Sequence, residues 1–352
     1  MVELMSFVKS LLSLPGISGY ETPVREFISQ EWSGLVDELK TSKVGSLSGL
    51  RRGTGNAPRP SLLITAHMDA IGFMVSNVKD GFLQISNIGG IDPRVLPGVP
   101  VMVHGRRDLP GVLALNPAQQ SAGKKSESSI TLENLVVDIG LSPAQVTKLV
   151  NIGDPISFNT HPVELEGGYL SGHSLDNRIS IGALTVCLSE LSGTGQYWDV
   201  WALASVQEEI NLGGAATSTF ELNPDIAVIL DTTYARSPGA EGWEFFELGG
   251  GPTLGLGANI HPCLGRRFQE IADRSNIPCK VEPMPIDSQT DAWAVQVSNS
   301  GVPCMVIGIP IRYMHTPVEM AMLDDIRMTG RLLAEFIRTL EPDFLSRITW
   351  ED

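Results

Sequence analysis

From about residue 168 to its end the chain alternates short apolar runs with stretches at helical spacing, and this pattern constrains the fold more than any other feature. DVWALASV, IAVIL, PCKVE and GVPCMVIGI are short apolar segments bounded by Gly, Pro or Asp, which reads as strand. NRISIGALTVCLSELSG, CLGRRFQEIADRS and DDIRMTGRLLAEFIRTL read as helix; the last carries Ile326, Leu332, Leu333, Phe336, Ile337 and Leu340 on one face. Strands separated by helices predict an α/β fold: a mixed, mostly parallel sheet with helices on both faces. The N-terminal segment fits the same layers. Leu4, Phe7, Val8, Leu11 and Leu12 fall at helical spacing, Thr22-Pro23 caps and opens a second helix, and SLLITAH is a further buried strand.

Between residues 70 and 165 the texture changes. FMVSNVKDGFLQISNIGG alternates apolar residues around a Lys79-Asp80-Gly81 turn, a hairpin signature. GVPVMVHG, GVLAL, NLVVDIG and DPISFN continue as short strands, and only LSPAQVTKLV, with Ser142 before Pro143, reads as helix. The expectation is a small β-barrel-like domain, 70–165, inserted into a larger domain built from 1–69 and 166–352. With 352 residues and 42% hydrophobic content, the chain can supply a core for each.

A formal charge of −15 argues against nucleic acid or an anionic membrane as partner. Cys187, Cys263, Cys279 and Cys304 form no C-x-x-C pair and read as reduced thiols of a cytoplasmic protein. The N-terminus lacks a basic segment and a cleavage site of small residues, and no run approaches the ~20 apolar residues that span a bilayer. A cytoplasmic location is therefore expected.

In parallel sheets ligands gather beyond the carboxyl ends of the strands. His67 and Asp69 follow SLLIT, Glu208 and Glu209 follow WALASV, and Asp231 closes IAVIL. Taken singly, each has a plain reading. H-x-D is a weak pattern, Asp176 in SLDNR can cap the next helix, Glu208-Glu209 can be a solvated turn, and His315 can be a satisfied loop residue. Together they form a different picture: with Asp69 set behind His67, a ligand set of two His, two Asp and a Glu, with a further Glu beside it. Oxygen and imidazole donors without thiolate suit Zn²⁺, Co²⁺ or Mn²⁺. One Glu of the adjacent pair can bind metal while its neighbour acts as general base.

The chain also resembles a known family. LPGISGYETPVREFI, ITAHMDAIGFMV, GGIDPRVLPG, LDNR, QEEINLGGA, LGGGPTLGLG, TDAWAVQ and IPIRYMHTPVEM occur in the order found in the tetrahedral, or deblocking, aminopeptidases, a group that includes glutamyl aminopeptidases and proteins labelled endoglucanase M. The resemblance implies two divalent metal ions, with Asp176 bridging them, His67 and Asp231 completing one site and Glu209 and His315 the other. It implies Glu208 as general base, Asp69 as the group orienting His67, and peptides with a free N-terminus as substrates. It further implies that 70–165 is a dimerisation domain and that dimers assemble into dodecamers. Ala70, Asn211 and Gly213 depart from the family pattern, which has Glu, Gly and Arg there. His173 reads as a supporting or structural residue, and His104, His161 and His261 as structural. A glycosidase, prompted by the cellulase label, and a non-catalytic assembly protein of the same fold are the rival readings.

Overall fold

Two helices, α1 (Leu4–Leu12) and α2 (Thr22–Trp32), open the computed structural model, which describes residues 3–116, 130–286 and 288–349. Next come β1 (Glu38–Thr41), β2 (Leu47–Arg51) and β3 (Ser61–His67). The chain then makes β4 (Gly72–Lys79), β5 (Phe82–Ile88), β6 (Pro100–His104), β7 (Asp108–Leu115), β8 (Leu135–Asp138), α3 (Pro143–Leu149) and β9 (Pro155–Phe158). After β10 (Val163–Leu165) and β11 (Tyr169–Gly172) come α4 (Leu175–Leu191), β12 (Asp199–Ser205), α5 (Glu208–Asn211), α6 (Gly213–Leu222) and β13 (Ile226–Tyr234). The last part contains β14 (Thr253–Gly257), α7 (Pro262–Arg274), β15 (Lys280–Met284), α8 (Ala292–Gln296), β16 (Cys304–Ile311), β17 (Glu319–Met322) and α9 (Leu323–Arg338).

The expected mixed sheet is present: an 8-stranded sheet in the order β1-β2-β12-β3-β13-β16-β14-β15. Its centre, β12-β3-β13-β16, is parallel, and the antiparallel pairs lie towards its edges. Helix α4 packs on β3, β13 and β16 together with α1 and α9, while α6 and α8 pack on each other and on β12, β13 and β16. With helices on both sides, the central strands are apolar throughout: Leu62, Leu63, Ile64, Val228, Ile229 and Ile307 are fully buried. Helix α9 presents Ile326, Leu332, Leu333, Phe336 and Ile337 inward, the face its periodicity predicts.

Strands β4-β5-β8-β7-β6-β9 close into a barrel with its own core, which includes Phe73, Val75, Leu83, Val101, Val137 and Ile156. Asp80 and Gly81 take φ of 53° and 88° in the first hairpin, as an Asp-Gly turn of the primed type requires. One boundary differs from the sequence reading. Thr22 is the first helical residue and Glu21 occupies the N-cap, yet its side chain does not cap α2. Instead it accepts the backbone N–H groups of Gly19 and Gln207, fastening two loops near the sheet's carboxyl edge.

Below the junction between sheet and barrel lies Arg178, the last residue of LDNR, with 1% of its surface exposed. Its guanidinium donates to the carbonyls of Leu11 and Leu14 at 2.6 Å and to those of Met68 and Gly16 at 3.4 Å. It therefore ties the end of α1 to the exit of β3. His173 is buried nearby, its ring 4.6 Å from Phe158 in an edge-on contact, and its Nδ1 has no hydrogen-bond partner. Burial, reinforced by the Arg178 charge, pushes the imidazole down to about 3.

An unfolded His titrates near 6.5, so between about pH 6.5 and about 3 the unfolded chain binds a proton that the folded chain does not. Stability is therefore lost as pH falls through that window, by up to about 1.4 kcal/mol per unit for this group. In calorimetry of chelator-treated protein between about pH 6.5 and 5, His173→Leu should lose thermal stability less steeply than the parent. Equal slopes would contradict the assignment.

Candidate active site

The site assembles because β3 and β12 end at the level of Asp231, while β13 runs on to Tyr234. Ser205 at the end of β12 pairs with His67 at the end of β3, and Asp231 lies two residues beyond Ile229, which pairs with Thr65 of β3. The adjacent pair Glu208 and Glu209 starts the single-turn helix α5, bracketed by Gln207 and Leu212 with φ of 59° and 58°. Asp69 holds that turn in place. Its Oδ1 accepts the Glu208 backbone N–H at 3.0 Å and its Oδ2 accepts that of Glu209 at 3.3 Å and the Ser18 hydroxyl at 2.5 Å. Nδ1 of His67 meets the Asp69 backbone carbonyl at 3.2 Å, with the Asp69 carboxylate 3.4 Å away, which leaves Nε2 facing the site.

Asp176 sits in the first turn of α4 with its carboxylate between two imidazoles. Oδ1 is 3.3 Å from Nε2 of His67, and Oδ2 is 3.4 Å from Nε2 of His315. Glu209 Oε2 is 3.4 Å from the same nitrogen of His315, and Asp231 Oδ1 is 3.7 Å from Nε2 of His67. Glu208 Oε2 approaches His67 Nε2 to 3.8 Å. Every residue singled out in the sequence is thus brought to one place. Two groups lie within metal-binding reach of each other, His67 with Glu208 and Asp231, and His67 with Asp176 and Glu209, their donor atoms within 4.8 Å in each group. His315 joins through Asp176 and Glu209.

The electrostatics have one cause. Five buried carboxylates converge on two imidazoles, and no Lys or Arg is among the described residues lining the cleft. Burial, then the neighbouring Asp231, Asp291 and Glu209 charges, push Glu208 well above the usual carboxylate range, with the His67 charge pulling the other way. Burial and the Asp176 charge push Glu209 up to about 8. Burial opposes a charge on the histidines, but Glu208, Asp176 and Asp231 outweigh it at His67, and Asp176 and Glu209 lift His315 to about 9. Such a site attracts positive charge. A hard divalent ion answers that demand better than protons on the imidazoles, and the donor set contains no thiolate.

Sequence reasoning assigned no role to three carboxylates. Glu319, buried in MHTPVEM, accepts the backbone N–H of His315 at 2.9 Å and that of Asp176 at 3.2 Å, so one side chain sets the position of two others. It arrives through β17, where Glu319 pairs with Gly172 just before His173. Asp291, in the TDA segment, accepts the Ser205 hydroxyl at 2.6 Å, while its Oδ1 has no hydrogen-bond partner and burial raises it to about 7. Glu282 faces the cleft from β15, and no sequence signal marked it. Of the family departures, Ala70 is buried beside Gly16 and donates its N–H to that carbonyl at 3.1 Å. Asn211 lines the cleft and accepts the Gly213 N–H at 2.8 Å. His104 is held by Asp108 and Ser157, and His261 caps α7, consistent with structural roles.

Above these groups opens a cleft of about 690 Å³ with Trp243, Met284, Trp293 and Met314 among its apolar walls. That volume suits a small ligand or the end of a peptide.

The family model described as M42 glutamyl aminopeptidase matches residues 45–332. A lysyl aminopeptidase of Pyrococcus furiosus is 32% identical over 342 residues, covering 95% of this chain and 97% of that protein. Among solved structures, a TET aminopeptidase from Thaumarchaeota archaeon SCGC AB-539-E09 superposes with a TM-score of 0.93 at 27% identity, covering 99% of both chains. The TET1 peptidase of Pyrococcus horikoshii, described as able to assemble into a tetrahedron or a large octahedral shell, gives 0.83 at 29% identity over 96% of this chain and 100% of that one. A family match across residues 45–332, on a fold that gathers these carboxylates and imidazoles at the ends of its strands, makes this chain a member of the M42 glutamyl aminopeptidase family.

Proposed function

We propose that this chain is a metal-dependent aminopeptidase that removes the first residue of peptides with a free α-amino group. The observation that carries the reading is the Asp176 carboxylate, one oxygen towards His67 and the other towards His315. That is the arrangement of a carboxylate shared by two metal ions. His67 and Asp231 would complete one site, and Glu209 and His315 the other. Zinc or cobalt, with manganese a third option, fits the donors. When bound, such ions acidify water and neutralise negative charge developing on the scissile carbonyl oxygen.

The chain's own residues do the rest. Glu208, its Oε2 3.8 Å from Nε2 of His67 and not needed to complete either site, takes a proton from the attacking water and returns it to the leaving amine. Burial among acids raises its proton affinity, and bound cations would lower it again. Asp69 keeps His67 in the tautomer whose Nε2 faces the site and fixes the backbone of Glu208 and Glu209. The carboxylates around the cleft also suit a substrate's α-ammonium group, which favours an exopeptidase. Acids converging on imidazoles favour this reading over a glycosidase, which sets two carboxylates across a sugar ring.

Residues 1–69 and 166–352 form the catalytic domain in this reading, and the barrel within 70–165 is a dimerisation domain through which homo-oligomers, up to dodecamers, assemble. Among the described residues no helix is long and apolar enough to cross a membrane. The net charge of −15 fits a protein that neither nucleic acid nor an anionic membrane attracts, and a cytoplasmic location agrees with reduced cysteines.

Chelator-stripped protein, supplied with zinc, cobalt or manganese, should cleave aminoacyl-p-nitroanilides with free but not acetylated N-termini. Glu208→Gln should lower kcat by roughly 10²- to 10⁴-fold while metal binding persists. Equal cleavage of acetylated substrates, or retained turnover in the variant, would overturn the assignment.

A further inference from the structure

The cleft has an inner pocket beside Asp231 that the proposed chemistry does not use. Asp231 and Thr233 are two residues apart on β13 and so face the same side, roughly 7 Å from each other along the strand. The Thr233 hydroxyl donates to Oε1 of Glu282 at 2.6 Å, and the Thr253 hydroxyl donates to Oε2 at 2.5 Å. Glu282 therefore lies across the sheet surface, reaching from the edge strand β15 over β14 and β16 to β13.

Glycine makes that reach feasible. Gly308 pairs with Asp231 across β13 and β16, and a Cβ there would stand 2.4 Å from Thr253 Oγ1 and 3.0 Å from Glu282 Oε2. The missing side chain leaves that space to Thr253, Thr233 and the Glu282 carboxylate, so Glu282 reaches the part of the cleft that Asp231, Val306, Pro283 and Met284 also line. Two hydrogen-bond donors occupy a carboxylate that can accept about four. No Lys, Arg or His pairs with Glu282 among the described residues. The pocket is thus built around a carboxyl group whose proton affinity burial raises and which has no cationic partner among the described residues.

Resting on the aminopeptidase reading, we propose that this pocket receives the side chain of the substrate's first residue and that Glu282 selects a cationic one, lysine or arginine. A lysine's four-carbon stem lies against the apolar sides while its ammonium meets the carboxylate. An arginine can pair with both carboxylate oxygens. An N-terminal glutamate would place its charge against Glu282 with no described Lys or Arg in the lining to offset it. The family's glutamyl label therefore does not carry over to this cleft.

The test compares kcat/KM for lysyl-, arginyl-, leucyl- and glutamyl-p-nitroanilide in the metal-loaded enzyme and in Glu282→Gln. The parent should prefer the basic substrates to the glutamyl one, and the variant should lower the lysyl-to-leucyl ratio by roughly 10- to 100-fold. Product inhibition of the unaltered enzyme reads the same pocket without a variant: free lysine should inhibit more strongly than norleucine, and glutamate least. Cleavage of the leucyl substrate without any basic preference, or an unchanged lysyl-to-leucyl ratio in Glu282→Gln, would overturn this inference alone. Silence on every free N-terminus would remove the aminopeptidase reading and this inference with it.

Discussion

The organising constraint is a cluster of carboxylates buried at the carboxyl edge of a parallel sheet with too little positive charge beside them. Like charges forced together in a low-dielectric site must be protonated, paired or bound to a cation. Much of the surrounding structure reads as a response. Asp69 and Glu319 each spend their oxygens on backbone N–H groups, two from the Glu208-Glu209 turn in one case and those of Asp176 and His315 in the other. These acids fasten the loops that carry the others. The Arg178 guanidinium stays out of the cleft, its donors committed to backbone carbonyls, so it braces the site without neutralising it.

The same sheet that concentrates charge also shapes the space for a substrate. Side chains alternate along β13, so Asp231 and Thr233 share one face of the sheet. On β16, Gly308 opens that surface, and across it Glu282 reaches from the edge strand. His67, Asp231 and Glu282 are therefore carried by one rigid sheet, while Asp176, Glu208, Glu209 and His315 come to it from helix starts and loops.

Much of this was legible in the sequence. The alternation of apolar strands and amphipathic helices gave the α/β class, and the turn-rich segment after Asp69 marked the barrel. His67, Asp69, Asp176, Glu208, Glu209, Asp231 and His315 stood out because acids closing buried strands are costly without a partner. Asp176 was the hardest to read, since an Asp ahead of a helix is also an ordinary cap; only its position between two imidazoles separates the two. Glu319, Asp291 and Glu282 were illegible for a common reason. Each acts through a partner distant in sequence: Glu319 on Asp176, Asp291 on Ser205, Glu282 on Thr233. No local pattern encodes such pairings, and Glu282 lies on a short strand with ordinary composition.

The central claim is that Asp176 is shared between two cations, and metal stoichiometry tests it most directly. Chelator-treated protein would be re-equilibrated with zinc or cobalt, dialysed, and its metal content measured by mass spectrometry alongside that of Asp176→Asn. The account predicts two ions per chain in the parent and loss of both in the variant, since each site depends on the same carboxylate. A parent that retains no ion, or a variant that still holds two, would contradict it.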